Sequence, residues 1–188
     1  SNLNQLLTHA HLRDRDHPCV ETEELRSHAD DLFCLAGART SHLGQLIDDG
    51  KARSAEGWTG QLREIFGSRF SIELAHHAHP GASRRVKRLY ELADAVGAPV
   101  AASGDVRYAD RASYRWYDLL TCIREGITVF DGDPARPKNG EAYLKSEADL
   151  RQLIPYPDAF DRTAEIAQAC SVDLLPGEIT TPAPQYES

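Results

Sequence analysis

The sequence predicts an α/β protein built from parallel β-α units. Three short apolar runs have the length and composition of buried strands, and stretches with apolar residues at helical spacing separate them. The chain has 188 residues, of which 41% are hydrophobic and 27% charged. A chain of this size and composition buries one core of ordinary domain size.

The N-terminal third begins with two predicted helices and one strand. A first helix is predicted by apolar residues that share one face, namely Leu3, Leu6, Leu7 and Ala10. A second helix is predicted over 23–29, with Thr22 as its N-cap. The apolar run 32–36 then predicts a buried strand that ends at Gly37.

The central part repeats this alternation. Ser41 is predicted to cap a helix that ends at Gly50, and a further helix is predicted over 58–66. Apolar and polar side chains alternate over residues 70–74, as they do in a strand. Ser83 is predicted to cap the next helix. That helix ends at Gly97, and a third strand runs over 99–102. Because a helix connects the second and third strands, we expect them to be parallel.

The C-terminal part is predicted to be helical. Apolar residues between Trp116 and Ile123 predict a helix that ends at Gly126, and a polar loop follows over 131–140. Ser146 begins a capping box for a helix to Ile154, and a last helix extends to Cys170. The tail over 176–188 contains three prolines, so we expect a linker or a disordered tail there.

Composition excludes several classes of function. The net charge of -8 argues against autonomous nucleic-acid binding, because phosphate contacts need a positive surface. The sequence has neither a run of eighteen apolar residues nor a secretion signal, so we expect a cytoplasmic protein without membrane contact. The scattered cysteines fit reduced thiols. The absence of methionine favours a segment cut from a longer chain.

Asp105 is the strongest candidate for a functional residue. It follows the third strand, at the end of a sheet where α/β proteins place their chemistry. Arg107 lies two residues after Asp105. A guanidinium cannot ligate a metal cation and repels one that lies nearby. We therefore predict that Arg107 forms an ion pair with Asp105.

Each of the other candidate functional residues also has a purely structural interpretation. Glu73 lies at the same end of the sheet as Asp105, where it forms either a carboxylate pair or a structural salt bridge. His77 belongs to a loop with His76 and His79, which is either a zinc ligand cluster or a solvated polar loop. Helical spacing around residues 9–11 argues against a ligand pair there. The basic run 84–88 is either a partner contact or a solvated helix face.

Five sequence segments occur in the order of a known family. They are residues 2–12, 32–37, 66–74, 100–108 and 143–146, of which the fourth resembles V-A-T-N-D-V-H-Y and the fifth matches Y-L-K-S. The helix over 163–170 is also similar. Together they resemble the PHP (polymerase and histidinol phosphatase) domain of bacterial DNA polymerase III alpha subunits, in particular the error-prone branch.

The resemblance implies the C-terminal part of a TIM-like (β/α)7 barrel with a C-terminal helical extension. Residues 1–133 would form the partial barrel, 134–175 a helical segment leading towards the polymerase palm, and 176–188 a linker. Family members hold up to three metal ions at the strand ends. Within this chain, the family's ligand positions correspond to Ala38, Asp105 and Arg107, and only Asp105 retains a ligand.

The resemblance also implies a function. The parent would be a DNA-directed DNA polymerase of replication, translesion synthesis or DNA repair, and this segment would have a structural or subunit-interaction role with no catalytic residue and no cofactor. Its partners would be the remainder of the polymerase chain, DNA through the parent, and other replication or repair subunits. The alternative is a metal-dependent phosphoesterase or 3′-5′ exonuclease with Zn or Mn. A free-standing α/β binding protein is a third hypothesis.

Overall fold

The computed structural model describes residues 2–171, and its centre is a parallel sheet. Within that range the strands are β1 (Cys34–Ala36), β2 (Phe70–Ala75) and β3 (Val100–Ser103). They lie in the order β1-β2-β3, and both neighbouring pairs are parallel. The predicted α/β class with parallel β-α units is therefore confirmed, while a sheet of three strands does not close a barrel. The predicted tail over 176–188 lies outside the described residues.

Helices precede, connect and follow these strands. In chain order they are α1 (Asn2–Arg13), α2 (Thr22–Ser27), α3 (His42–Asp48), α4 (Ala52–Phe66), α5 (Ala82–Val96), α6 (Tyr114–Glu125), α7 (Glu147–Leu153) and α8 (Pro157–Ala169). Left-handed glycines end α5 and α6 where the sequence predicts, because Gly97 and Gly126 adopt positive φ angles of 62° and 67°.

The core lies between the sheet and the helices that connect its strands. Alternate residues of β2 point into it, and Phe70, Ile72 and Leu74 are completely buried. Leu43 of α3 and Leu89 of α5 are buried to the same extent and belong to the same cluster. This burial is the main source of the stability of the fold.

Helix α8 covers the outer edge of β3. Ile72 N donates to Pro99 O at 2.8 Å, so the register turns the carbonyl of Ala102 away from β2. The hydroxyl of Thr163 in α8 lies 2.8 Å from that carbonyl oxygen and can donate to it. A strand edge covered in this way is protected from pairing with another chain. Although α8 packs on the sheet, the division at residue 133 stays a prediction.

Several predicted boundaries differ from the structure, and α4 begins at Ala52 instead of residue 58. Helix α5 begins at Ala82, and Gly81 takes the N-cap position instead of Ser83. Thr22 is the first residue of α2, whose cap is Glu21. Strand β1 begins two residues later than predicted, at Cys34. Helices α5 and α2 thus begin earlier than predicted and β1 begins later, in each case by the one or two residues within which the ends of such elements are uncertain from sequence.

Helix α6 carries an apolar face that is open to solvent. The exposed fractions are 70% for Trp116, 63% for Leu120 and 67% for Ile123. The helical spacing that predicted α6 is therefore correct, although much of its apolar face is not part of the core. In the described part of the chain, we find no helix with the length and hydropathy needed to cross a membrane.

Candidate functional site

A polar cavity of about 360 Å³ lies beyond the C-terminal ends of the strands. Side chains from the loops after all three strands line it, and the loop over 134–142 forms the opposite wall. Its charged and imidazole-bearing residues are Arg39, His77, His79, Asp105, Arg107, Arg124, Arg136 and Lys138. The cavity thus gathers Asp105, Arg107 and His77, which the sequence predicted, and several residues that it did not.

The loop after β1 depends on two glycines. A side chain at Gly37, whose φ is 145°, would place its Cβ 2.3 Å from the carbonyl oxygen of Glu73. A Cβ at Gly44 would lie 2.2 Å from the carbonyl oxygen of Ala38. Only glycine allows these close approaches. They hold the loop against β2 and α3, and so bring Arg39 into the cavity wall.

Asp105 sits in a strained turn after β3. Its φ angle of 38° is in the left-handed region, which aspartate tolerates better than most residues. The backbone N–H of Asp105 donates to Ser103 Oγ at 2.9 Å and stabilises this conformation. Arg107 Nη2 lies 2.8 Å from Asp105 Oδ1. The side chains of Asp105 and Arg107 are 22% and 48% exposed, so the pair is open to water on one side.

His77 faces the same carboxylate. Its Nε2 donates to the carbonyl oxygen of Gly104 at 2.9 Å, which leaves the lone pair on Nδ1 in the neutral ring. His77 Nδ1 is 4.0 Å from Asp105 Oδ2. Asn139 holds the backbone of this loop, because its side-chain amide donates to the carbonyl oxygen of His77 at 2.8 Å.

Two other histidines of this loop are held in the neutral form. Burial is the main cause that lowers the pKa of His79 to about 4, the neighbouring His77 is the next, and the positive charges of Arg39 and Lys138 add to it. Burial also lowers the pKa of His76. The backbone N–H of Ala78 donates to His76 Nδ1 at 3.1 Å, so His76 Nε2 donates to Ser83 Oγ. His76 therefore orders the loop and has no free base nitrogen.

An ion pair anchors the far wall of the cavity. Arg136 contacts Asp118 of α6 through two hydrogen bonds, Nε to Oδ1 at 2.9 Å and Nη2 to Oδ2 at 2.6 Å. The same guanidinium donates to the carbonyl oxygens of Val129 and Asp131. The hydrogen bonds that Arg136 donates to Asp118 lower the pKa of the Asp118 carboxyl. The polar loop is thereby fixed against α6.

The remaining sequence candidates lie elsewhere. Glu73 is half-buried in β2 and is not in the cavity lining, and it has no ion pair among the described residues. Residues 9–11 are part of α1, as the helical spacing predicted. In the basic run 84–88, Arg85 pairs with Asp48 of α3 through contacts of 2.8 and 2.5 Å. That run is therefore held partly by its neighbouring helix.

The cavity residues that the sequence analysis missed come from segments without periodicity. Asn139 contacts a loop more than sixty residues away, and Arg39 follows β1 in a short turn. No spacing rule links such positions. The one available signal was topological, because the loops after parallel strands converge at one edge of a sheet.

The donor set does not match a metal centre. Across residues 2–171 we find no group of three or more His, Cys, Asp and Glu side chains that could hold a metal ion. His77 Nδ1 and Asp105 supply two donors, and one oxygen of Asp105 already contacts Arg107. A closed zinc site needs four ligands and a catalytic one at least three.

Comparisons with known proteins relate this chain to one family. Residues 1–77 match the PHP domain family. The chain is 30% identical to an error-prone DNA polymerase of Symbiobacterium thermophilum, with 90% of this chain and 17% of the relative aligned. It is 31% identical to DNA polymerase III subunit alpha of Thermus aquaticus, over 94% of this chain and 15% of the relative. It is 29% identical to DNA polymerase III subunit alpha of Escherichia coli, over 96% of this chain and 16% of the relative. The chain thus spans less than a fifth of each relative's length.

Proposed function

Because this chain contains a PHP-domain sequence related over most of its length to DNA polymerase III alpha subunits, we propose that it is a non-catalytic part of such a polymerase. Its sheet would be the C-terminal part of a (β/α)7 barrel, with 134–175 leading towards the palm. The parent would act in DNA replication or, as the error-prone relative's name suggests, in translesion synthesis. Its role would be to support the polymerase and contact other subunits.

The ion pair between Arg107 and Asp105 carries this proposal. By the family resemblance, Ala38, Asp105 and Arg107 occupy three metal-ligand positions. Ala38 has no ligand atom, and Arg107 places a fixed positive charge 2.8 Å from the carboxylate. The residues present therefore do not fit the family's metal ions. A degenerate site of this kind favours a structural role over hydrolysis.

The alternative is a metal-dependent phosphoesterase or 3′-5′ exonuclease. His77 and Asp105 favour it, because their donor atoms lie 4.0 Å apart on the same side of the cavity. Two donors of this kind could share an ion if further ligands came from elsewhere in a longer chain. The two hypotheses make opposite predictions about metal content.

Metal analysis of a complete PHP domain that includes this segment tests the proposal, because the alternative takes further ligands from outside the segment. After dialysis against Zn²⁺ or Mn²⁺ and removal of excess metal, we expect metal far below one equivalent by mass spectrometry. We also expect no Mn²⁺-dependent release of nucleotides from a 3′-labelled single strand. Stoichiometric metal together with hydrolysis would establish the alternative instead.

Restored ligands provide the positive control. The double variant Ala38→Cys/Arg107→His would add a thiolate next to Arg39 of the cavity wall and an imidazole at position 107, which gives four potential donors together with Asp105 and His77. We expect its Zn²⁺ content to rise towards one equivalent. The matched control Arg53→His adds a histidine on the exposed side of α4 and should leave the metal content unchanged.

A further inference from the structure

We propose that the cavity beyond the strand ends is a metal-independent binding site for a phosphate-bearing anion, held by Arg39, Lys138 and His79. This inference rests on the proposed function in one respect, since it requires that no metal ion occupies the cavity. It assigns a ligand to a site that has lost its metal ligands. The ligand class follows from the charge, hydrogen-bond donors and size of the cavity.

The charge of the cavity is opposite to that of the whole chain. Five arginine and lysine side chains line it, and among the residues that the structure describes Asp105 is the one carboxylate in the lining. The chain as a whole has a net charge of -8. A concave site of one sign within a protein of the other concentrates the field and attracts an anion selectively.

Two of these positive charges have no acidic partner among residues 2–171. Arg107 pairs with Asp105, Arg136 with Asp118, and Arg124 with Glu125. For Arg39 and Lys138, by contrast, no ion pair with any described residue is present. Arg39 is half-buried and Lys138 is exposed at the opposite wall. An anion between them would therefore supply the missing negative charge.

His79 adds a hydrogen-bond donor to the same cavity lining. Asn139 Nδ2, which also donates to the carbonyl oxygen of His77, lies 3.3 Å from His79 Nδ1. Since the amide nitrogen is a donor, His79 Nδ1 accepts and the ring proton is on Nε2. Arg39, Lys138 and His79 line the same cavity. His79 Nε2 can thus donate a hydrogen bond to a ligand.

The donors and the size together favour a phosphate group. A phosphoryl group offers several oxygen acceptors and up to two negative charges, which matches two cations and a neutral N–H. A carboxylate has one charge and would leave the second cation unmatched. The volume of about 360 Å³ admits a small phosphorylated group such as pyrophosphate or a terminal nucleotide phosphate.

Calorimetric titration in EDTA tests the proposal on the full chain. The probes are inorganic pyrophosphate and a short oligonucleotide with a 5′-phosphate, compared with the same oligonucleotide without it. We expect pyrophosphate to bind in the absence of metal and to weaken as salt is raised. Tighter binding of the phosphorylated oligonucleotide would identify a strand end as the source of the phosphate. Tighter binding of pyrophosphate would identify a free anion as the ligand.

Paired double variants separate the cavity from general charge effects. Arg39→Gln/Lys138→Gln should weaken pyrophosphate binding at least tenfold. Arg53→Gln/Lys87→Gln changes the net charge equally at exposed positions outside the cavity and should have less than a twofold effect. The exposed single change Lys138→Glu, which does not disturb packing, should also abolish binding.

Other outcomes would overturn the proposal. These are equal losses in both double variants, or no heat of binding with any phosphate probe in EDTA. Binding that requires added Mn²⁺ would contradict both this inference and the proposed loss of metal binding. Absence of both metal and phosphate binding would contradict this inference alone.

Discussion

The apolar core and the strand-end cavity are built on the same three strands but are held together differently. In the core, Phe70, Ile72 and Leu74 are buried by contacts that have no preferred direction. In the cavity, Arg136 and Asn139 form directed hydrogen bonds to residues far away in the sequence. The core should therefore respond to side-chain volume, and the cavity to charge, pH and backbone strain.

The largest expected effect belongs to the core. Leu89 is completely buried, so Leu89→Ala removes apolar contacts and leaves a cavity among fixed neighbours. We expect the free energy of unfolding to fall by about 2–5 kcal/mol, measured by urea denaturation. The control Leu12→Ala changes a side chain that is 81% exposed and should cost less than about 0.5 kcal/mol. Similar losses in the two variants would mean that burial does not distinguish these positions.

This difference also explains what the sequence could predict. The alternation in β2 and the glycines after α5 and α6 are local patterns, and the structure confirms the strand and both helix ends. Asp105 and His77 could be selected because they follow strands. Arg39 and Lys138 could not, because their common position depends on how loops of different length close over the sheet. A cavity of this kind is a property of the assembled fold.

A pH titration sharpens the comparison at His79. Its pKa is about 4 in the folded chain and near the ordinary 6.5 in the unfolded one, so the unfolded chain takes up the proton first as the pH falls. The contribution of His79 to the free energy of unfolding should therefore decrease from about pH 6.5 to about pH 4 and change no further below that. Because water screens a half-buried site, we expect a loss on the order of 1–2 kcal/mol.

Substitution isolates this contribution. His79→Gln keeps a polar side chain without a titrating group, so its stability should vary less with pH over that interval. The exposed His11 provides the control, since His11→Gln should leave the pH dependence as it is in the unchanged chain. An identical pH dependence in all three proteins, followed by chemical denaturation, would contradict the role of His79.

The smallest effect tests backbone strain in the loop beside the cavity. Ala78 has a φ angle of 49°, and its N–H donates to His76 Nδ1, which holds it in this left-handed conformation. Glycine removes the steric cost of about 1–2 kcal/mol but gives the unfolded chain more freedom. We expect Ala78→Gly to stabilise the protein by less than about 1 kcal/mol in urea denaturation.

An alanine-to-glycine substitution in a helix should change the stability in the opposite direction. Ala95 is exposed in α5, where glycine has only its entropic disadvantage, so Ala95→Gly should destabilise by about 0.5–1 kcal/mol. Because both variants remove one methyl group from an exposed alanine, the difference between them measures the backbone conformation alone. Destabilisation by both would show that the loop after β2 relaxes in solution. Opposite signs would place the strain at the strand ends, where the cavity is built, and not in the helices that support it.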